Sequence, residues 1–379
     1  MRWRAPLLVL LALVLLWAPV LQPLGRGSII VLDIYSSALW DRNLAALLTP
    51  SPRVEEERIA IVGVPDLRVT WWRPGWGDRH PGILLVNGAT SLGNDDPETR
   101  RLAEALARAG YLVMLPEFPF MVAGRFDALA TSQIDAAFAV LLARPQARPQ
   151  VSGAFGFSVG GGLLLAAAAR DGALAHAAYL GALGAYFDID TYLASVIGGA
   201  QERGGKIVGW EPSVEARFRL PVAAAEALSD ARDRDRVSSA LANGLIGVSG
   251  PPPPDLGPEA RALWSALGAT DYATALDRLR HLPSPLRQRF DDLSPRTRWA
   301  SVAPPVYWLH DERDAFEPVA EAERAAATQH RTATRLQLTR LLSHAAAVGE
   351  GARREGPDFW VRELAGLLGF SMDILRRTG

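Results

Sequence analysis

Residues 151–165 read Val-Ser-Gly-Ala-Phe-Gly-Phe-Ser-Val-Gly-Gly-Gly-Leu-Leu-Leu, and this stretch constrains the chain more than any other. A short apolar strand (151–155) runs into Gly156-Phe157-Ser158-Val159-Gly160, and an Ala/Leu-rich helix follows at once, ending near Arg170. Glycines on both sides of Ser158 let a tight turn close without side-chain clashes, which leaves the hydroxyl standing at its apex. Val159 is expected to begin the helix, where a backbone N–H with no intrahelical acceptor can bind an oxyanion. The pentapeptide alone is a weak signal. Strand before and helix after make it a moderately strong one.

Such a unit needs a sheet around it. Residues 58–64 and 67–72 read as antiparallel strands about a Pro65-Asp66 turn. Residues 82–86 form a continuous apolar run, as in a buried central strand, and end at Asn87-Gly88-Ala89-Thr90. Asp95-Asp96-Pro97-Glu98 starts a helix, with Leu102, Leu106, Ala103 and Ala107 on its inner face, and Gly110 stops it. A strand at 111–115, a helix carrying Ile134, Phe138, Leu141 and Leu142, and a strand at 177–180 complete the first half. Alternation of strand and helix at this spacing implies parallel strands with helices on both faces.

The pattern changes at Asp188. From there to about Pro295 no buried strand is evident, and helices are expected at 214–228 (broken or kinked at Pro221), 231–245, 259–267 and 272–279. The expectation is a helical cap inserted into the α/β body; a separate helical domain is the alternative. The sheet then resumes, with a strand at 306–309, a helix at 319–327, a strand at 335–341 and a closing amphipathic helix at 359–370.

Ahead of this body, Arg2 and Arg4 precede an uncharged apolar core from Ala5 to Leu21. That core is at the short end of a membrane span, which needs ~20 residues, and long for a signal-peptide core of ~7–15. An uncleaved anchor is the preferred expectation, with the body outside the cytoplasmic membrane; a cleaved signal with a secreted protein, and a buried helix, are the alternatives. Residues 29–48, interrupted by Asp33, Asp41 and Arg42, are expected to form a helix on the membrane or on the domain surface. The expected organisation is an anchor at 1–26, an amphipathic linker at 27–53, the first part of the core at 54–186, the cap at 187–300 and the second part of the core at 301–379.

Composition excludes several classes. A formal net charge of −1 gives no electrostatic case for nucleic acid. The absence of cysteine excludes disulfides, thiolate metal sites and a cysteine nucleophile. Lys206 is the only lysine among 40 basic residues, and its Gly-Gly-Lys loop is a poor setting for a Schiff base.

A serine hydroxyl is a poor nucleophile unless a histidine takes its proton, and that histidine needs an acid to fix its tautomer. The resumed sheet supplies both. The strand at 306–309 ends in His310-Asp311-Glu312-Arg313-Asp314-Ala315-Phe316-Glu317-Pro318, and the next ends in Leu341-Leu342-Ser343-His344. Parallel strands bring both ends to the sheet edge that carries Ser158. Asp311 or Glu312 could also serve as the acid. His310 reads as structural, and His80, His176, His281 and His330 read as solvated. Asp188 and Asp190 lack a third ligand and read as a loop rather than a metal site. Trp71, Trp72 and Trp76 read as packing residues, whereas Phe118 and Phe120 are placed to wall a pocket.

On these motifs the chain resembles the α/β-hydrolase fold superfamily, nearest in character to its dienelactone-hydrolase-like and prolyl-oligopeptidase-like serine hydrolases. The family pattern His-Gly-x-x-Asp-x-x-Val-Pro matches residues 310–318, which selects Asp314 as the acid and leaves Asp311 at the family's glycine. The family's His-Gly oxyanion turn matches Asn87-Gly88, which implies that Ala89 supplies a second N–H beside Val159. The resemblance therefore implies an α/β-hydrolase fold with a mostly parallel central sheet and a catalytic set of Ser158, Asp314 and His344. It also implies an oxyanion hole at Val159 and Ala89, and no cofactor or metal. The implied activity is cleavage of a carboxylic ester, thioester or amide through an acyl-enzyme, the partner being a small acyl substrate with a lean toward a lipophilic one. Acyl transfer to an envelope acceptor and a non-catalytic scaffold are the alternatives. An unperturbed histidine base would lose activity below about pH 6.5.

Overall fold

The computed structural model describes residues 22–243, 248, 250–344 and 346–378. Residues 1–21, on which the expected anchor largely falls, lie outside the described residues. Among the described residues no helix is long and apolar enough to cross a membrane.

The chain opens with helix α1 (Gln22–Trp40) and the hairpin β1 (Arg53–Ile61) and β2 (Val64–Arg73). Then follow β3 (Gly82–Val86), α2 (Pro97–Arg108), β4 (Leu112–Pro116), the short α3 (Pro119–Val122), α4 (Ala130–Ala143), β5 (Gly153–Phe157), α5 (Ser158–Ala168) and β6 (Leu180–Leu183). The insertion holds α6 (Ile189–Gly198), β7 (Ala200–Arg203), β8 (Lys206–Gly209), α7 (Val214–Glu226), α8 (Ala231–Asn243), α9 (Pro258–Leu267), α10 (Tyr272–Arg280) and α11 (Ser284–Leu293). The core closes with β9 (Val306–Asp311), α12 (Ala320–Ala327), β10 (Thr334–Thr339) and α13 (Pro357–Leu375).

The eight-stranded sheet has the order β1-β2-β4-β3-β5-β6-β9-β10. Only β2 runs antiparallel to its neighbours β1 and β4; the other pairs are parallel. Successive side chains of a strand point to opposite faces, so each strand feeds two cores. Leu84, Val86, Met114, Ala154 and Ala182 pack with Ile134, Phe138 and Leu164 of α4 and α5 on one face. Ile83, Leu85, Val113, Phe157 and Leu183 pack with residues of α1, α2 and α13 on the other.

Several local expectations shift. The first hairpin turns at Val62-Gly63, not Pro65-Asp66, because Gly63 takes φ +71°, which a two-residue turn needs. Pro65 and Asp66 lie where the register slips between Ile59 and Ile61, a place where proline's missing N–H is tolerated. The strands expected at 151–155 and 177–180 lie two to three residues later, since short 3₁₀ turns at Pro149–Val151 and Ala173–His176 take the preceding residues. Helix α7 runs through Pro221 unbroken, held by a buried side that includes Leu220, Pro221 and Ala224. The insertion also contains α6, α11 and the exposed β7–β8 hairpin, which the sequence patterns had not marked.

Helix α1 lies on the domain. Ile29, Ile30 and Tyr35 are buried. Asp33 is buried as well and faces Arg108 of α2 at 3.3 Å, and Asn43 Nδ2 donates to it at 3.0 Å. The charge that interrupts the apolar run is therefore the one that fastens the helix down. Among the histidines expected to be solvated, His176 and His281 are exposed, but His80 is buried against Trp76 and His330 is half-buried against Trp299. The His80 ring meets the Trp76 indole edge-on and lies 3.3 Å from Gly77 O, and the His330 ring tilts against Trp299 with Nε2 2.8 Å from Thr334 Oγ1.

Candidate active site

Ser158 sits where β5 becomes α5, with φ +50°, and His344 has φ +51°. Positive φ is rare for residues other than glycine and costs on the order of 1–3 kcal/mol, which surrounding structure must hold in place. The glycines around Ser158 are what permit it. A Cβ on Gly160 would lie 2.1 Å from Asn87 O, and one on Gly156 would lie 2.7 Å from Gly161 Cα. The strand, the helix start and the Asn87 loop therefore touch backbone to backbone.

That loop is tied by the residue standing where the family pattern has histidine. Asn87 is buried; its Oδ1 accepts from Gly88 N at 2.9 Å and from Thr99 Oγ1 at 2.8 Å, and its Nδ2 donates to Gly93 O at 2.8 Å. Ala89 and Val159 both line the cavity over Ser158. The structure thus places the two residues expected to supply oxyanion donors on the same cavity as Ser158, and the Asn87 side chain ties the loop that carries Ala89.

The expected acid and the expected base meet as well. Asp314 and His344 leave the ends of β9 and β10, and His344 Nδ1 lies 2.8 Å from Asp314 Oδ2. Asp314 Oδ1 accepts from the N–H groups of Phe316 (2.7 Å) and Glu317 (3.1 Å), which orient the carboxylate. Burial pushes its pKa up, but His344 and these donors outweigh it and hold the carboxyl below its ordinary range. Asp311 is buried and, among the described residues, has no hydrogen bond to His344; its Oδ1 accepts from Arg313 N at 3.0 Å. His310 is fully buried, its Nε2 3.1 Å from Glu317 O.

A fourth residue joins the set. Ser158 Oγ donates to Glu317 Oε1 at 2.7 Å, and Glu317 Oε2 lies 3.1 Å from His344 Nδ1. Among the described residues no hydrogen bond joins Ser158 to His344. Burial, with Asp314 adding to it against the pull of His344, raises Glu317 to about 7. Burial alone would lower His344, but Asp314 and Glu317 raise it to about 9. The unperturbed value of about 6.5 expected from sequence therefore does not apply. Glu317 stands at the valine of the family pattern, and a carboxyl at an apolar position before proline was the signal that could have marked it.

Gly184, with φ +53°, is the other residue missed. A Cβ there would lie 3.1 Å from Asp314 Oδ2 and 3.2 Å from His344 Nδ1. The Asp–His pair rests on bare backbone at the end of β6.

The cap is fastened to this machinery. Trp210 Nε1 donates to Asp314 O at 2.7 Å, and Ser213 N to Ala315 O at 2.7 Å. Glu321 of α12 is buried and accepts from Phe187 N and Asp188 N at 2.9 Å each. Asp188 pairs with Arg296 at 2.6 Å and Asp190 with Arg287 at 2.8 Å, so both carboxylates are spent on holding the insertion. Tyr192, Leu220 and Ala223 of the cap line a cavity of about 370 Å³ that reaches Ser158 and His344. Met121 and Phe126 line it in place of Phe118 and Phe120, which stack on each other within the core.

Asp314, Glu317 and His344 also offer donor atoms within 4.8 Å of one another. A metal there would have to displace the proton that joins His344 Nδ1 to Asp314 Oδ2, so the set fits hydrogen bonding better than ligation.

The fold agrees with known structures. The crystal structure of 2,6-dihydroxy-pseudo-oxynicotine hydrolase is similar with a TM-score of 0.51 at 16% identity, over 93% of this chain and 82% of that one. The α/β hydrolase GrgF from Penicillium sp. sh18 is similar with a TM-score of 0.50 at 16% identity, over 86% and 99%. The chain has the α/β-hydrolase fold. At this identity the α/β-hydrolase likeness is one of fold. No protein-family model matches the chain, and no curated protein matches it by sequence.

Proposed function

We propose that the chain is a serine hydrolase that cleaves a carboxylic ester, thioester or amide through an acyl-enzyme on Ser158. The observation that carries this reading is the 2.8 Å bond from His344 Nδ1 to Asp314 beside a serine held at positive φ. An aspartate on Nδ1 leaves Nε2 as the nitrogen that can act as base.

In the reaction so read, Ser158 Oγ leaves Glu317 and bonds the substrate carbonyl carbon as its proton passes to His344 Nε2. The oxyanion rests on the N–H groups of Val159 and Ala89, one such donor being worth ~2.7–4 kcal/mol in comparable sites. His344 returns the proton to the leaving group as the carbonyl–heteroatom bond breaks. Water then repeats the sequence on the acyl-enzyme and restores the serine. Glu317 parks the hydroxyl in the free enzyme and, when ionised, keeps His344 protonated. Base action therefore requires the Glu317–His344 pair to shed a proton.

The same reading takes residues 1–26 as an anchor that holds the catalytic body outside the cytoplasmic membrane, on the strength of Arg2 and Arg4 ahead of an uncharged core. Fractionation of cells with a protease-accessible tag on the C-terminus checks it; a tag protected in intact spheroplasts reverses it.

The catalytic reading is tested by fluorophosphonate labelling of the full chain, read by intact mass and peptide mapping. One adduct on Ser158, lost in Ser158→Ala and in His344→Ala, is expected. No adduct on folded protein would turn the reading toward a non-catalytic scaffold.

A further inference from the structure

The cavity over Ser158 does not stop beneath the cap. It continues past Phe157 onto the sheet face that α1, α2 and α13 cover, where Ile34, Leu106, Phe155, Leu183, Phe370 and Ile374 line it. Protein interiors are close-packed, with few voids larger than a water molecule, so a cavity that continues between helix and sheet is unusual. An apolar cavity stays dry and takes apolar guests. Ser158, Val159, Glu317 and His344 line the same cavity, so one space joins the reacting groups to that apolar wall. Tyr179 lines it as well, its buried hydroxyl without a hydrogen-bond partner among the described residues.

Resting on the serine-hydrolase reading, we infer that this inner arm holds the acyl chain of the substrate, and that the chain is a long, unbranched aliphatic one. The carbonyl carbon sits at Ser158, the tail runs between the sheet and helices α1 and α13, and the leaving group lies under the cap against Leu220 and Ala223. Helix α1 is then part of the substrate site and not only a linker. Asp33 and Arg108, which fasten it, fix one wall of the chamber.

The test uses the full chain and a series of alkyl fluorophosphonates from ethyl to dodecyl, with the rate of Ser158 labelling as readout. Labelling is expected to rise with tail length, by up to about 4-fold per methylene while the chamber fills. Ile34→Trp and Ile374→Trp, both at half-buried positions, put an indole into the chamber. Each is expected to lower the ratio of dodecyl to ethyl labelling by about tenfold, the weight of roughly two methylenes. Val361→Trp, on the exposed side of α13, is the control and keeps the wild-type ratio. A dodecyl probe with a terminal diazirine should crosslink to α1, α2 or α13.

Ethyl labelling without length dependence would leave the serine reading intact and overturn the chamber. So would crosslinks confined to the cap, or an unchanged ratio in both tryptophan variants with wild-type melting curves. No labelling by any probe would overturn the serine reading, and the chamber with it.

Discussion

The Ser158 hydroxyl donates to Glu317 at 2.7 Å while the same carboxyl group lies 3.1 Å from His344. The proposed nucleophile and its proposed base thus share a buried carboxyl that a Ser-His-Asp set does not need. Two carboxyl groups flank one imidazole, and the charge balance of the site is decided by which of them is ionised.

Glu317→Gln tests that balance. Removing one anion beside the imidazole should lower the His344 pKa from about 9, by ~1–2 units for a charge at this distance. Below that value the imidazolium persists and the base is lost, so the limb of kcat/KM that rises with pH should move to lower pH by the same amount. Profiles of both proteins from about pH 5.5 to about pH 10 check it. A limb that stays in place would mean that Glu317 does not control the base.

Asp314→Asn should keep the bonds from Phe316 N and Glu317 N, since an amide oxygen can accept them. It removes the anion that fixes the His344 tautomer, a change that lowers kcat by ~10⁴ in comparable triads. Steady-state kinetics on protein with an unaltered near-UV spectrum reads this. A loss of less than about tenfold would show Glu317 acting as the acid in its place.

Gly160→Ala would drive a Cβ to within 2.1 Å of Asn87 O, so the Asn87-Gly88-Ala89 loop must move away from Ser158. Losing one oxyanion donor costs ~10²–10³ in kcat. The variant should show that loss together with a lower Tm. Wild-type kcat would place the oxyanion donors elsewhere.

Arg108→Ala strands the buried Asp33 carboxylate under helix α1. Breaking a buried pair from one side costs about 3–5 kcal/mol. Urea unfolding should register most of that, whereas Arg58→Ala, in an exposed pair with Asp66, should register almost nothing. Equal effects of the two would mean that α1 is not docked through this pair.

The Ser158 turn, the order of strands and helices, the insertion at Asp188 and the placement of Asp314 and His344 were legible because each is written locally. Glycine marks the positions where backbone must pass backbone, and apolar runs bounded by turn residues mark buried strands. Parallel topology then carries the ends of β5, β9 and β10 to one edge without further information. The two-to-three-residue offsets of β5 and β6 arose where a 3₁₀ turn and a strand draw on the same residue types.

Glu317, Gly184, the burial of His80 and the docking of α1 depend on contacts between residues far apart in the chain, which no periodicity encodes. Glu317 reads as one more acid in an acidic loop until the fold sets it against Ser158, 159 positions earlier. Asp33 looks like a break in an apolar run until Arg108 meets it. The sequence by itself determined which residues can do chemistry and which edge of the sheet they share. Tertiary structure decided their protonation and the space around them, because desolvation, ion pairing and cavity shape exist only once distant segments pack.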